Sequence, residues 1–157
     1  MIAGQPRTGK STLALNLALA ISRGARFLGR DTKQTPICYV SIDNSEAEFR
    51  TMVDRLGMVA TDKVYIHTGK VPDRAVDWLT EQAVKRDIKF IVIDTFQRFF
   101  DLRNINDSQE CIDKMSPLDL RAKEAGLHIC YLHHAGKGDP RSGDPTLTAN
   151  LGSIAIK

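Results

Sequence analysis

The stretch that decides the fold of this chain is Gly4-Gln5-Pro6-Arg7-Thr8-Gly9-Lys10-Ser11-Thr12. It fits the pattern G-x-x-x-x-G-K-[ST], which is typical of a phosphate-binding loop, or P-loop. Gly4 and Gly9 allow the backbone to turn tightly, so that successive N–H groups point at one anion near the positive end of the following helix. The stretch therefore predicts that all nine residues bind the phosphates of a nucleotide.

Three side chains of this loop have predicted roles. We expect Lys10 to be an exposed loop residue that reaches the β- and γ-phosphates as a mobile point charge. The Ser11 hydroxyl is expected to complete the coordination of a Mg²⁺ that keeps most of its waters. Thr12 is placed to touch the α-phosphate side. A nucleotide with Mg²⁺ is the predicted ligand.

The residues around the loop predict a strand before it and a helix after it. Ile2 and Ala3 suit the end of a strand, and the helix should end near Gly24. Its apolar residues are Leu13, Leu15, Leu17, Ala18, Leu19 and Ile21. Only three residues precede Gly4, so we expect either a very short first strand or a chain that lacks its upstream part.

Length and composition indicate one ordinary domain. The chain has 157 residues, a formal net charge of +3 and 26% charged residues, so any basic surface must be local. Cys38, Cys111 and Cys130 are odd in number and form no C-x-x-C, which favours free thiols in a reducing compartment. The sequence shows no signal peptide and no run of eighteen apolar residues. We therefore expect a cytoplasmic protein without membrane contact.

The middle of the chain alternates between strand and helix patterns. Residues 37–42 predict a buried strand that runs into Asp43, and residues 63–67 predict a third, short strand. Ser45 and Glu48 predict a capping box at the start of the second helix. A third helix is expected to start at Pro72-Asp73. Its predicted apolar face contains Val76, Leu79, Ala83 and Val84.

Within residues 88–94, four consecutive apolar residues lead directly into Asp94. Such a strand is buried on both faces, and Asp94 would emerge at its C-terminal edge. Downstream of a P-loop, this aspartate is expected to hold the Mg²⁺ through water, together with Ser11. An aspartate after a strand is also a common helix cap, which is the alternative interpretation.

The segment 95–106 places aromatic residues among basic ones. This mixture suits a surface for single-stranded nucleic acid, with Arg98 and Arg103 as phosphate contacts. The alternative, which we favour, is that Phe96, Phe99 and Phe100 simply cover the sheet. A further helix follows, with Asn106, Asp107 or Ser108 as its cap. Pro117 in its interior predicts a kink or a split near Ser116.

Residues 127–134 predict the last strand, which ends in His133 and His134. Adjacent strand residues point to opposite faces, so these two imidazoles should not share a metal ion, and one of them is expected near phosphate. A polar loop follows at 135–150. Lys137 and Arg141 are its only cations and are candidate nucleic-acid contacts.

The order of these pieces resembles the RecA-like P-loop ATPases of the AAA-type group that includes RepA-like plasmid helicases and DnaB-like replicative helicases. The resemblance rests on the P-loop, the acidic end of the second strand, the strand ending in Asp94, and two segments near the end of the chain. These are Leu132-His133-His134-Ala135-Gly136-Lys137 and Leu151-Gly152-Ser153-Ile154. It implies a single RecA-like ATPase domain over residues 1–157, with an α/β three-layer fold and a mostly parallel sheet. It also implies ATP and Mg²⁺ as cofactors, single-stranded DNA as a partner and a homo-oligomeric ring.

The resemblance also implies residue roles. The family places a general-base glutamate after Ser-Leu at the end of the second strand, and the matching segment here is Ser41-Ile42-Asp43. Asp43 is one methylene shorter, so either Asp43 acts as the base or Glu46, one helical turn later, replaces it. The family's sensor at the sheet edge falls on His134. Relatives supply an Arg or Lys finger from beyond the Gly-Ser-Ile stretch, so we expect a domain that is truncated at both ends.

Right-handed crossovers should bring Gly4, Asp43, Asp94 and His134 to one edge of the sheet. The predicted function is ATP binding and Mg²⁺-dependent hydrolysis coupled to DNA work, as a helicase or a helicase-like replication or recombination ATPase. Two alternatives stay open. One is a P-loop phosphotransferase, and the other is a nucleotide-gated binding module with little turnover.

Overall fold

The computed structural model describes residues 1–105 and 107–134. Its strands are β1 (Ile2–Gly4), β2 (Ile37–Ser41), β3 (Val64–Thr68), β4 (Phe90–Asp94) and β5 (His128–His134). Its helices are α1 (Lys10–Arg23), α2 (Glu46–Arg55), α3 (Ala75–Lys85), α4 (Phe96–Phe99) and α5 (Ser108–Ala125). The strands form one sheet in the order β1-β5-β4-β2-β3, and every pairing is parallel. This confirms the predicted α/β fold class with a central parallel sheet.

Hydrophobic side chains cover both faces of the sheet. On one face, Leu15 of α1 and Phe49 of α2 pack with Val92 of β4. On the other face, Ile91 and Ile93 of β4 pack with residues of α3, α4 and α5. Because alternate residues of β4 are buried on opposite faces, the strand reads as a continuous apolar run in the sequence.

The strand register sets where the functional side chains meet. β5 lies between β1 and β4, with Gly4 opposite His134 and Asp94 opposite Leu132. β2 pairs with the other side of β4, with Ser41 opposite Asp94. The C-terminal ends of β1, β5, β4 and β2 therefore lie at one edge of the sheet, as predicted.

Most helix ends follow the sequence signals. The first helix ends at Gly24, which has a left-handed backbone with φ 64°. Ser45 and Glu48 form the predicted capping box of α2. The Asp107 side chain caps α5, as one of the three predicted alternatives. The cysteines Cys38, Cys111 and Cys130 are free thiols.

Two helix predictions need correction. Of the kink or split predicted near Ser116, the split does not occur, since α5 is one helix through Pro117. Proline removes one hydrogen bond, to the carbonyl of Asp113, which is an exposed residue. Leu118, next to the proline, is fully buried and packs the helix against the core. The second correction concerns the start and the buried face of α3.

That helix begins at Ala75 rather than at Pro72-Asp73, and Val84 is not on its buried face. Leu79 and Ala83 are buried, but the Val84 side chain is 71% exposed. Five residues beyond Leu79 correspond to a rotation of about 140° around the helix axis. Val84 therefore points away from the sheet.

Candidate functional site

The P-loop connects β1 to the start of α1 and has the backbone of an anion site. Arg7 and Gly9 adopt left-handed conformations, with φ 63° and 83°. Gly9 is the N-cap of α1, and within the described part of the chain α1 has neither a side-chain cap nor an acidic residue in its first turn. The positive end of this helix is thus not neutralised by a side chain, which suits a bound phosphate.

Lys10 is not the exposed residue that the sequence predicted. It is the first residue of α1, and its side chain is buried, with only 7% exposed. Its ammonium group donates hydrogen bonds to the carbonyl oxygens of Gly4 at 3.0 Å and Gln5 at 2.7 Å. The loop wraps around this side chain, so the charge of Lys10 is held inside the turn.

Asp94 and Ser11, the predicted Mg²⁺ pair, are brought together. Asp94 ends β4 and is 2% exposed. Burial raises the pKa of Asp94, and the nearby side-chain hydroxyl groups of Ser11 and Tyr39 oppose this rise. Thr95, not Asp94, is the N-cap of α4. A carboxylate beside a hydroxyl is an oxygen donor set that fits Mg²⁺, and it argues against the helix-cap alternative.

Tyr39 is a site residue that the sequence analysis missed. It is fully buried in β2, and its hydroxyl lies 3.1 Å from Asp94 Oδ2 and 3.4 Å from the Ser11 carbonyl oxygen. Its ring packs against Phe49 of α2, with the ring centroids 5.1 Å apart. A tyrosine in an otherwise apolar buried strand needs a partner for its hydroxyl, and that was the available signal.

Asp43, Arg98 and His134 meet beside this pair. The Asp43 carboxylate is bound at Oδ1 by Arg98 Nε at 2.9 Å and faces His134 Nε2 from Oδ2 at 3.4 Å. The charge of Asp43 raises the pKa of Asp94, and His134 lowers it, so both lie within electrostatic reach of Asp94. The three residues line an open cleft that also contains Thr95, Gln97, Asp101 and Leu102.

Glu46, the alternative base, lies elsewhere. It is an exposed residue of the first turn of α2, and its carboxylate is 3.9 Å from Arg50 Nη2. It is not among the residues that line the cleft of Asp43. The geometry therefore favours Asp43 over Glu46 as the carboxylate near the P-loop edge.

A profile of the family described as AAA domain matches residues 1–140. The chain belongs to this AAA domain family. A comparison with curated proteins finds no match. Family membership indicates a nucleotide-binding domain of the P-loop ATPase type, which typically uses Mg²⁺. The matched residues include the P-loop, Asp43, Asp94 and His134.

The two histidines of this AAA domain point to opposite faces, as expected. His133 is 3% exposed and lies edge-on to Phe96, with ring centroids 6.4 Å apart. Burial lowers the pKa of His133, so its imidazole is neutral near pH 7. Its Nδ1 has no hydrogen-bond partner among residues 1–105 and 107–134. In the same ranges, no group of three or more His, Cys, Asp or Glu side chains could hold a metal ion.

The candidate nucleic-acid residues of the AAA domain divide into three groups. The three phenylalanines Phe96, Phe99 and Phe100 are buried in the core, so they cover the sheet and cannot stack on bases. Arg98 and Arg103 are both exposed. Lys137 and Arg141 lie outside the described residues.

Within the described ranges, no helix is long and apolar enough to cross a membrane.

Proposed function

We propose that this AAA domain binds ATP with Mg²⁺ and hydrolyses it to drive work on DNA, as a helicase or a helicase-like replication or recombination ATPase. The main support is the meeting of Ser11, Asp94, Asp43 and His134 at one edge of the sheet, next to the P-loop. The proposed phosphate contacts are Gly4, Gln5, Pro6, Arg7, Thr8, Gly9, Lys10, Ser11 and Thr12. A homo-oligomeric ring is part of the same proposal, on the strength of the resemblance alone. A cytoplasmic location is also part of it, and this rests on the sequence features described above.

Each side chain has a proposed task. Lys10 and the backbone N–H groups of the loop stabilise negative charge on the β- and γ-phosphates. Ser11 would hold the Mg²⁺ and Asp94 would hold it through water, and the ion would supply positive charge that neutralises the phosphate oxygens. Asp43 accepts a proton from the attacking water, and His134 responds to the γ-phosphate. Arg98, Arg103, Lys137 and Arg141 are proposed contacts to DNA phosphates.

One observation favours a second candidate function. Both carboxylate oxygens of Asp43 already face cationic or polar partners, Arg98 and His134. A base held in this way favours slow turnover, which is the property of a nucleotide-gated binding module. The phosphotransferase alternative has no comparable support in the cleft.

Steady-state ATP hydrolysis, measured with and without Mg²⁺ and with and without single-stranded DNA, tests the proposal. We expect slow Mg²⁺-dependent hydrolysis that DNA accelerates. Tight ATP binding with no turnover under any condition would favour the binding module. Turnover that requires a small phosphate acceptor, and is indifferent to DNA, would favour the phosphotransferase.

A further inference from the structure

The contact between Asp43 and Arg98 joins two residues with different proposed tasks. Asp43 is the proposed base, and Arg98 is a proposed contact to nucleic acid. A general base needs a lone pair that is free to accept the proton of the attacking water. Here Oδ1 of Asp43 is occupied by Arg98 Nε at 2.9 Å, and Oδ2 lies 3.4 Å from His134. Each carboxylate oxygen of the proposed base therefore already faces a neighbouring side chain.

A phosphate can compete with the Asp43 carboxylate for the Arg98 guanidinium. The Arg98 side chain is 69% exposed and the Asp43 side chain 25% exposed, so water screens the ion pair. Exposed pairs of this kind contribute little free energy. A guanidinium has five N–H donors and can bind phosphate with two parallel hydrogen bonds, so it has donors to offer a phosphate besides the Nε that lies 2.9 Å from Asp43 Oδ1.

The Arg98 side chain can exchange Asp43 for a phosphate without movement of the backbone that carries it. Arg98 lies in α4, the short helix directly after β4, four residues beyond Asp94 in the sequence. The buried rings of Phe96 and Phe99 on either side fix the helix to the core. The backbone therefore stays in place while the exposed side chain changes partner.

We propose that Arg98 is a positioning residue shared between Asp43 and one phosphate of a single-stranded nucleic acid. In the free protein it keeps Asp43 from the attacking water. When a phosphodiester binds the guanidinium, Asp43 is released and hydrolysis accelerates. The proposal rests on the function proposed above and adds the residue through which nucleic acid would control it.

The charges of the cleft limit how much nucleic acid enters it. Asp101 lines the same cleft as Asp43, so the cleft is not a basic groove. A phosphate would approach the solvent side of Arg98 rather than the carboxylates. Arg103, exposed five residues further along the same segment, is the nearest candidate on that segment for a neighbouring phosphate.

The test uses Arg98→Ala and Arg98→Lys, with ATP hydrolysis measured with and without an oligo-thymidine strand. For Arg98→Ala we expect the basal kcat to rise by about two- to fivefold, the size of an exposed ion pair. The ratio of stimulated to basal kcat should fall toward one, with an unchanged KM for ATP. Arg98→Lys keeps the positive charge but lacks the planar guanidinium that can donate two parallel hydrogen bonds to a phosphate. It should therefore restore only part of the stimulation.

Two controls separate this role from a structural one. Arg26→Ala removes an arginine from another exposed ion pair, with Asp31 at 3.2 Å, beyond the far end of α1, and should change neither the basal kcat nor the ratio. In an Asp43→Asn background, Arg98→Ala should no longer raise the basal kcat, because there is no base to release. Thermal melts of each variant check that the fold is retained.

The outcomes are distinguishable. If DNA stimulates the wild-type protein and Arg98→Ala keeps the full stimulation, the inference is wrong while the proposed function stands. A lower basal kcat in Arg98→Ala with an unchanged ratio would also overturn it, since Arg98 would then support Asp43 rather than restrain it. A wild-type protein without hydrolysis under any condition would contradict the proposed function, and the inference with it.

Discussion

Tyr39 is the residue that most directly connects the core to the proposed metal site. Its hydroxyl donates to Asp94 at 3.1 Å, and Asp94 is a buried carboxylate whose pKa burial raises. A hydrogen bond to a charged group stabilises the charged form, and Asp94 must be ionised to hold Mg²⁺. The hydrogen bond from Tyr39 thus favours the ionised form of Asp94 that Mg²⁺ binding requires.

We predict that Tyr39→Phe weakens the Mg²⁺-dependent part of nucleotide binding about tenfold, from the loss of one charge-assisted hydrogen bond. The loss should grow as the pH falls, because the pKa of Asp94 would rise further without its donor. Titration calorimetry at several pH values measures it. Tyr131→Phe is the matched control: its hydroxyl donates to Asp119 at 3.2 Å, and Tyr131 belongs to the cluster on the opposite face of the sheet. Equal effects of both substitutions would show that Tyr39 is only a packing residue.

The site residues that could be predicted from the sequence are those marked by a pattern of adjacent residues. The P-loop is a fixed pattern, and Asp94 follows directly from an apolar strand. Tyr39 was missed and Lys10 was expected to be exposed, because the partners of both are decided by the fold. The Lys10 ammonium bonds to backbone carbonyls, which no side-chain pattern reveals.

At the scale of elements, one ion pair ties the end of α1 to the loop before β3. Arg23, in the last turn of α1, contacts both carboxylate oxygens of Asp62 at 2.7 and 2.8 Å. The Arg23 guanidinium and the Val59 N–H hold the pKa of Asp62 below its ordinary value of 3.8. This contact also fixes the helix that begins at the P-loop.

We predict that Asp62→Asn lowers the melting temperature at neutral pH. A carboxyl group with a lowered pKa stabilises the fold above its unfolded pKa, and this stabilisation is lost as the pH falls through the folded value. The difference from the wild type should therefore shrink in buffers below pH 3.8. Asp31→Asn is the control, since the Asp31 side chain is 89% exposed and its pair with Arg26 should contribute little. An unchanged melting temperature for Asp62→Asn would contradict the prediction.

Local signals also explain which helix features were predictable. The capping box of α2 and the glycine at the end of α1 depend on neighbouring residues and are confirmed. The split near Ser116, one of two predicted effects of Pro117, does not occur, and the predicted burial of Val84 was wrong, because each depends on what the helix packs against. Leu118 is fully buried beside the proline, whereas Val84 faces away from the sheet.

At the scale of the whole molecule, strand order and register create the site. The sequence predicted that four strand ends meet at one edge, and the resemblance implied a mostly parallel sheet. Neither specified that β5 inserts between β1 and β4, which places His134 opposite Gly4. The contacts of Asp43 with Arg98 and His134 follow from this order and join segments more than 30 residues apart. Long-range register is not encoded in any one segment, so these contacts required the structure.

We propose that the P-loop, Ser11 and Asp94 form one Mg²⁺-nucleotide site, on which the other proposals depend. The most direct measurement is calorimetric ATP affinity with and without Mg²⁺, for the wild-type protein and for Asp94→Asn. We expect Mg²⁺ to strengthen binding to the wild type, and Asp94→Asn to lose this gain while its metal-free affinity stays close to the wild-type value. Equal losses with and without Mg²⁺, or an Asp94→Asn protein that keeps the full gain, would contradict a shared Mg²⁺-nucleotide site.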